Sequence, residues 1–193
     1  MMLFDLPLLP GLAHRDELIG PDEEGALIAK VGRTDLSPFR FQGWTGKRLT
    51  KTYGWRYDFD DRSFQPVEEM PDWLHKLRTK AADFAGLEAE RFVHALVTRY
   101  DPGAPIGWHR DRPHFGTVVG ISLGSEAILR FRKREGTGFR RFSLNLPPRS
   151  AYILSGEARH EWEHSIAPAE RLRFSITFRT LSGKGLTAAS QIP

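Results

Sequence analysis

The stretch GWHRDRPHFG, residues 107–116, has the residue types and the spacing of a metal site. It follows a strand-like segment, and side chains two positions apart along a strand point to the same face. His109 and Asp111 are therefore predicted to point into one cavity. One more histidine would complete the two-histidine, one-carboxylate set that leaves positions open on iron(II) for oxygen chemistry. Zinc accepts the same ligand types, so this pair alone leaves the metal undecided.

The third ligand must come from a distant part of the chain. The segment RHEWEHSI contains His164 and His160, and His114 lies in the loop just after Asp111. A lone histidine is more often a surface or hydrogen-bonded residue than a metal ligand. The spacing by itself therefore does not choose among the three.

The segment RLRFSITFRTL near the C-terminus alternates between two faces. One face carries Leu172, Phe174, Ile176 and Phe178, and the other carries Arg173, Ser175, Thr177 and Arg179. An ordinary half-buried strand would turn the polar face to water. If the polar face instead lines the interior of a barrel, its arginines need an anion, because burying an unpaired charge is costly. Arginine binds carboxylates through two parallel hydrogen bonds, so a small dicarboxylate would suit.

The elements that must position these residues change in kind near residue 91. Before it, helices are predicted over 21–31 and 70–87 and a sheet or hairpin over 40–59. After it come seven short strand-like segments separated by turns, which predict an antiparallel sandwich or jelly roll supported by the N-terminal helices. They are RFVHALVTRY, HFGTVVGISLG, EAILRFRKR, FRRFSLNL, SAYILSG, RHEWEHSI and RLRFSITFRTL.

Four motifs, in this order over roughly 90–181, resemble the AlkB family of iron(II)/2-oxoglutarate dioxygenases. They are WHRD, GISLGSEAILRF, SGEARHEWEHSI and RFSITFR. The resemblance implies an α+β fold, a double-stranded β-helix (jelly roll) with supporting N-terminal helices. It implies a single domain over 1–193, with helices and a substrate lid over 1–90, the β-helix core over 91–181 and a mobile tail over 182–193.

The resemblance also implies roles for single residues. His109, Asp111 and His164 would bind iron(II), because the family pattern W-x-H selects His164. Many members have asparagine where this chain has Thr98 and Ser175. The implied site for the cosubstrate 2-oxoglutarate comprises Thr98, Tyr100, Arg173, Ser175 and Arg179, with Arg173 on the distal carboxylate and Arg179 nearer the metal.

The reaction implied by the family turns 2-oxoglutarate into succinate and oxidises a C–H bond of the substrate, often on an N-methyl group that leaves as formaldehyde. DNA-repair members usually carry an acid two residues after the ligand aspartate. This chain has Pro113 there, which argues against base repair and leaves RNA, protein or other substrates open.

Two sets of residues are predicted to meet the substrate. Tyr53, Trp55 and Tyr57 share a face by period two, with Phe41 and Trp44 upstream, and lid aromatics can stack on a base. Packing in the core is the competing interpretation.

Residues 130–149 hold seven basic residues and one acidic residue, while the whole chain carries a net charge of only +4. This segment fits phosphate contacts or, equally, a solvated hairpin. Loss of Arg132 and Arg134 together is expected to flatten the salt dependence of nucleic-acid binding by roughly two units.

Composition sets the remaining expectations. The chain has no cysteine, which excludes a disulfide framework and thiolate metal sites and agrees with a cytoplasmic setting. We find no signal peptide and no apolar run long enough to cross a membrane, and we expect a monomer.

The leading hypothesis is a dioxygenase that oxidatively demethylates or hydroxylates a nucleic-acid base, with O2 and 2-oxoglutarate as cosubstrates. The alternatives are a protein demethylase or hydroxylase and, less favoured, a non-enzymatic metal-binding β-barrel module.

Overall fold

The computed structural model describes residues 9–41, 44–58 and 63–192. The side chains of Phe41 and Trp44, which the sequence adds to the substrate candidates, lie outside this described part. So do residues 59–62 of the loop that follows the predicted hairpin.

Four α-helices occur in the described residues: α1 (Pro21–Gly32), α2 (Asp72–Ala85), α3 (Gly156–His160) and α4 (Gly183–Ala189). Helix α1 begins with Pro21, whose fixed φ suits the first helical position, followed by acidic residues in the first turn. Helix α2 ends at Gly86, which adopts the left-handed conformation with φ 63°. Both predicted N-terminal helices are confirmed, with bounds that differ by one or two residues. None of the helices in the described ranges has the length and apolar character needed to cross a membrane.

Within the described ranges, twelve strands form two antiparallel sheets. The strands are β1 (Leu12–Arg15), β2 (Ser37–Phe41), β3 (Trp44–Tyr57), β4 (Phe64–Pro66), β5 (Phe92–Tyr100), β6 (Ile106–His109), β7 (Phe115–Leu123), β8 (Ala127–Glu135), β9 (Gly138–Leu146), β10 (Ala151–Leu154), β11 (Glu163–Ile166) and β12 (Arg173–Leu181). The major sheet has the order β1-β10-β7-β12-β5-β3-β2, with β4 paired to β3, and the minor sheet has the order β6-β11-β8-β9. The sheets face each other as in a jelly roll without closing into a barrel, which confirms the predicted fold class.

Helices α1 and α2 pack on the outer face of the major sheet. Their apolar residues, including Val31, Leu74 and Leu77, share one buried cluster with Ile176 and Phe178 of β12. The opposite face of β12 is thereby turned toward the minor sheet. The N-terminal helices therefore support one sheet, as predicted, and they leave its other face to the site.

Two segments differ from the sequence prediction. Only the second half of RHEWEHSI is a strand, because its first residues belong to α3. There the buried Arg159 donates to the carbonyl oxygens of Arg112, Phe115 and Gly116, contacts that an extended chain would not place together. The expected tail over 182–193 contains helix α4, whose first turn is capped by the Ser182 hydroxyl accepting from the Gly185 amide.

Candidate functional site

The predicted metal ligands come together between the two sheets. One potential ligand atom from each of His109, Asp111 and His164 lies within 4.8 Å of the others. Pairing of β6 with β11 sets His109 directly opposite His164, with ring centroids 4.3 Å apart. Nε2 of His109 is 3.5 Å from Oδ1 of Asp111. Strand β6 ends at His109, so Asp111 reaches the cluster from the following loop rather than from the same strand face.

The protonation states of these residues suit a divalent metal. Nδ1 of His109 lies 2.9 Å from the Gly107 carbonyl oxygen, so it carries the proton and leaves Nε2 free as a ligand. Burial, with a smaller effect of His109, lowers the pKa of His164 to about 3, which keeps this imidazole neutral. Burial by itself would raise the pKa of Asp111, but Arg179 and the histidines outweigh it and hold that pKa well below its usual value. Neutral imidazoles and an ionised carboxylate are the forms that bind metal.

The other two candidate histidines point elsewhere. His114 stacks on Phe64, with centroids 4.9 Å apart, and contacts Tyr57 at 5.1 Å. His160 is exposed on α3. Of the three histidines that the spacing allowed, only His164 joins His109 and Asp111.

Hydrogen bonds from the Arg159 side chain hold the loop that carries Asp111. This side chain is 2% exposed. Its three hydrogen bonds end on carbonyl oxygens of the loop between β6 and β7 and of the start of β7, at distances of 2.7–3.1 Å. Burial lowers the pKa of Arg159, and Asp111 partly offsets that effect. No pattern in the sequence predicts these three contacts of Arg159.

The polar face of β12 does line the interior, as the anion argument predicts. Arg173 is 2% exposed. Its Nε and Nη2 donate to the Ser122 hydroxyl at 3.3 and 3.2 Å, and its Cζ lies 4.7 Å from the centre of the Tyr100 ring. Nη1 is buried and has no hydrogen-bond partner among the described residues. A buried guanidinium with an unused donor fits the carboxylate of a small dicarboxylate.

The remaining cosubstrate candidates form one polar wall around Arg173. The Tyr100 hydroxyl lies 3.1 Å from the Ser175 hydroxyl, and Thr98 is the cross-strand partner of Ser175. All three are buried and line the same cleft, which has a volume of about 1640 Å³. The structure therefore brings the predicted set together.

Arg179 lies at the metal end of this wall. Its Nε donates to Oδ2 of Asp111 at 2.8 Å, and its Nη1 lies 3.4 Å from Nδ1 of His94. Asp111 is thus oriented through one oxygen while Oδ1 faces the histidines. Burial, followed by Arg179, lowers the pKa of His94 well below its usual value, so this neighbouring imidazole is neutral.

Several cleft residues were missed by the sequence prediction: Arg48, His94 and Tyr152. Tyr152 is the clearest case, because its ring lies across Gly120, its cross-strand partner. A Cβ at Gly120 would collide with that ring. Burial raises the pKa of Tyr152 to about 12. A glycine paired with an aromatic residue on the next strand could have identified Tyr152 as a cleft residue. That pairing can be recognised only once the register of β7 and β10 is known.

The three predicted lid aromatics separate. Tyr53 is 4% exposed and packs in the helix-side core, so its assignment to the substrate is wrong. Gly54, with φ 76°, exchanges hydrogen bonds with the chain at residues 67–68 and ends the pairing of β3 with β5. Beyond Gly54 the side chains of β3 therefore no longer follow the simple alternation of faces on which the prediction for Tyr53, Trp55 and Tyr57 depends. Tyr57 lines the cleft, whereas Trp55 stacks on Phe64 at 5.1 Å.

Three of the seven basic residues of segment 130–149 pair with carboxylates from elsewhere in the chain. Arg132 pairs with Glu163 at 2.6 Å. Two more of its cations are neutralised in the same way, Lys133 by Glu157 and Glu161, and Arg149 by Glu17 and Glu24. Its apolar and basic residues do take opposite faces of β8 as predicted, with Leu129 and Phe131 fully buried. The Cζ of Arg132 lies 4.6 Å from the ring of Trp108, which lines the cleft.

Comparison with known proteins gives consistent results. The sequence profile of the 2OG-Fe(II) oxygenase superfamily matches residues 34–179. The alpha-ketoglutarate-dependent dioxygenase AlkB of Escherichia coli (strain K12) is 30% identical over 155 residues, which are 74% of this chain and 68% of that protein. The RNA demethylase ALKBH5 of Mus musculus is 31% identical over 172 residues, which are 82% of this chain and 42% of ALKBH5.

The chain spans from 25% to less than half of the length of several curated relatives. Among solved structures, OsALKBH1 superimposes with a TM-score of 0.69 at 18% identity, over 90% of this chain and 98% of that one. At this identity the likeness concerns the fold.

Proposed function

Because this chain belongs to the 2OG-Fe(II) oxygenase superfamily and to its AlkB-like members, we propose that it oxidatively demethylates or hydroxylates a nucleic-acid base. It is an enzyme, a dioxygenase that uses iron(II), 2-oxoglutarate and O2. The relative ALKBH5 is an RNA demethylase. The observation that carries the substrate class here is the basic rim of the cleft that contains His109, Asp111 and His164.

In this proposal His109, Asp111 and His164 hold the iron. When bound, the iron supplies the oxygen chemistry that couples decarboxylation of 2-oxoglutarate to oxidation of a C–H bond. The chain contributes geometry: Gly107 fixes the tautomer of His109, and Arg179 fixes the orientation of the Asp111 carboxylate.

Arg173 binds the distal carboxylate of 2-oxoglutarate through Nη1, the donor without a partner in the described part of the chain. Tyr100, Ser175 and Thr98 line the same wall with hydroxyl groups. Because these groups are buried, they hold the cosubstrate in a position from which water is largely excluded. That placement favours one orientation toward the metal.

The basic rim consists of Arg40 and Lys47 at the edge of the major sheet and Arg110 at the edge of the minor sheet. All three are exposed, and no carboxylate of the described residues lies within 4.0 Å of their charged nitrogens. Cations on both sides of the mouth can bind phosphates that flank a nucleotide entering the cleft. Tyr57 lies in the same cleft, where its ring can stack on a base, and the Cζ of Arg112 lies 4.7 Å from that ring.

Removal of the rim charges is expected to weaken nucleic-acid binding in a salt-dependent way. Replacing Arg40, Lys47 and Arg110 together by glutamine should lower the slope of log K against log salt by about 2, since each phosphate contact to a single strand contributes about 0.7. Fluorescence anisotropy at several salt concentrations measures this slope. The matched comparison is the Arg132/Arg134 double variant. It should change the slope by less, because Glu163 already neutralises Arg132. Binding that is insensitive to salt and to both sets would remove the electrostatic case for nucleic acid.

Succinate release tests the proposed function directly. The protein is supplied with iron(II), 2-oxoglutarate and panels of methylated RNA, methylated DNA and methylated peptides. We expect nucleic acids to stimulate succinate formation at least tenfold, whereas the peptides leave it at the uncoupled level. Formaldehyde formation separates demethylation from stable hydroxylation. Stimulation by the peptides alone would establish the protein demethylase or hydroxylase alternative instead.

The hypothesis of a non-enzymatic metal-binding β-barrel module is rejected, because the family consists of dioxygenases. Cytoplasmic location and a monomeric state are also part of the proposal. Cell fractionation and light scattering of the purified chain test them.

A further inference from the structure

Arg48 is a cleft residue to which the metal and cosubstrate assignments give no role. It lies on β3, half-buried, in the wall that the N-terminal strands add to the cleft. The register pairs Leu49 with Arg99 and Thr50 with Thr98, so Arg48 comes next to Tyr100. Its Cζ lies 3.8 Å from the centre of the Phe39 ring, and this stacking holds the planar guanidinium in place.

The head of Arg48 faces the interior of the cleft. Burial lowers its pKa, and the neighbouring groups that act on it are Tyr100, Arg179 and Asp111. A guanidinium stays protonated in proteins even when it is buried, so the side chain remains a cation at neutral pH. No carboxylate of the described residues lies within 4.0 Å of its nitrogens.

The other charges of the cleft do not compensate Arg48. Asp111 is committed to Arg179. Of the acids nearer the mouth, Glu68 pairs with Lys51 at 2.7 Å and Asp58 with Arg56 at 2.7 Å. Asp35 is exposed at the outer end of the same wall, more than 4.0 Å from the charged nitrogens of Arg48. The position two residues after Asp111 is the uncharged Pro113. A substrate base that reaches Arg48 therefore meets a cation that no carboxylate of the described residues compensates.

We infer that Arg48 selects modified bases that present an oxygen to it and carry no positive charge, and that it disfavours cationic alkylated bases. This inference rests on the proposed function. A guanidinium can donate two hydrogen bonds to a carbonyl or carboxylate, which strengthens the binding of a base that presents such an oxygen. A positively charged base is repelled in the same position, where the low dielectric of the partly closed cleft strengthens the repulsion.

Two matched pairs of oligonucleotides test the selectivity. The first pair differs only in one residue, 3-methyluridine or 3-methylcytidine: both carry the methyl group on N3, but the first is neutral with a carbonyl at position 4 and the second is cationic. The second pair is N6-methyladenosine, which is neutral, and 1-methyladenosine, which is cationic; adenine has no carbonyl oxygen, so this pair tests only the repulsion of positive charge. Formaldehyde release gives kcat/KM for each, and anisotropy with manganese(II) under anaerobic conditions gives Kd without turnover.

We expect the unmodified protein to prefer the neutral member of each pair at least tenfold in both measurements. Arg48→Gln should bring the ratio to within threefold, and Arg48→Glu should reverse it. Arg48→Lys keeps the charge and should keep most of the preference. A role confined to packing on Phe39 would not give this order. Lys47→Gln is the matched control, since it removes a neighbouring exposed charge and should weaken both members equally.

A preference for the cationic members, or a ratio unchanged by Arg48→Gln in both pairs, overturns the inference. It is also overturned if Arg48→Gln raises the KM for 2-oxoglutarate and leaves the ratios unchanged, because Arg48 would then belong to the cosubstrate site. These outcomes leave the proposed function standing. If no nucleic acid binds or stimulates succinate release, the proposed function itself is wrong.

Discussion

Arg173→Ala is expected to abolish 2-oxoglutarate turnover while the metal still binds. The Arg173 side chain is 2% exposed and keeps a buried donor that no described residue satisfies. Removing one partner of a buried ion pair typically costs about 3–5 kcal/mol. Since about 1.4 kcal/mol corresponds to a tenfold change, the KM for 2-oxoglutarate should rise by at least about 100-fold. Arg173→Lys should restore little, because an ammonium lacks the planar fork of the guanidinium.

Succinate release without a prime substrate measures this effect and keeps it separate from substrate binding. Arg171→Ala is the matched control: it removes the same side chain at an exposed position just before β12 and should leave turnover unchanged. Metal titration of both variants should give the affinity of the unmodified protein. Undiminished succinate production by Arg173→Ala would show that the interior arginine does not bind the cosubstrate.

The residues behind that prediction were accessible from the sequence because their pattern is local. The alternation of β12 assigns Arg173 and Arg179 to one face, and the apolar face is buried against helices that were themselves predictable. The family motifs then choose His164 over His160. The separation of these two histidines into a strand and a short helix depends on Arg159 and its three carbonyl partners, which are far apart in sequence.

The substrate side was harder to predict because its determinants are not local. Period two assigned Tyr53 to the cleft, but the pairing of β3 changes at Gly54 and leaves Tyr53 in the core. The charge count over 130–149 could not include Glu163 and Glu157, which approach only when β11 and α3 pack beside β8. Arg48 carries no motif, and its importance follows from the fold, in which no carboxylate of the described residues lies within 4.0 Å of its charged nitrogens.

His164→Ala and Asp111→Ala should both abolish turnover through loss of the metal. Mutations that disturb only the groups supporting a metal ligand commonly reduce metal affinity 10- to 100-fold, so loss of the ligand itself should exceed about 100-fold. Titration with iron(II) under anaerobic conditions, or with cobalt(II) followed by absorption, measures the affinity. His160→Ala and His114→Ala are the controls, because neither side chain lies with the other ligands. Full metal affinity in His164→Ala, or its loss in His160→Ala, would contradict the assignment.

The two ligand variants should differ in stability, and that difference isolates the role of Arg179. His164→Ala removes an imidazole that burial keeps neutral, whereas Asp111→Ala leaves a guanidinium only 12% exposed without its carboxylate. An uncompensated buried charge of this kind costs about 3–5 kcal/mol. In metal-free protein we therefore expect Asp111→Ala to lower the free energy of unfolding by more than His164→Ala does, measured by denaturant titration. Adding Arg179→Gln to Asp111→Ala should recover most of that loss, since it removes the unpaired charge. If the double variant is no more stable than Asp111→Ala, Arg179 does not depend on Asp111 for its compensation, and its role in orienting the carboxylate would be wrong.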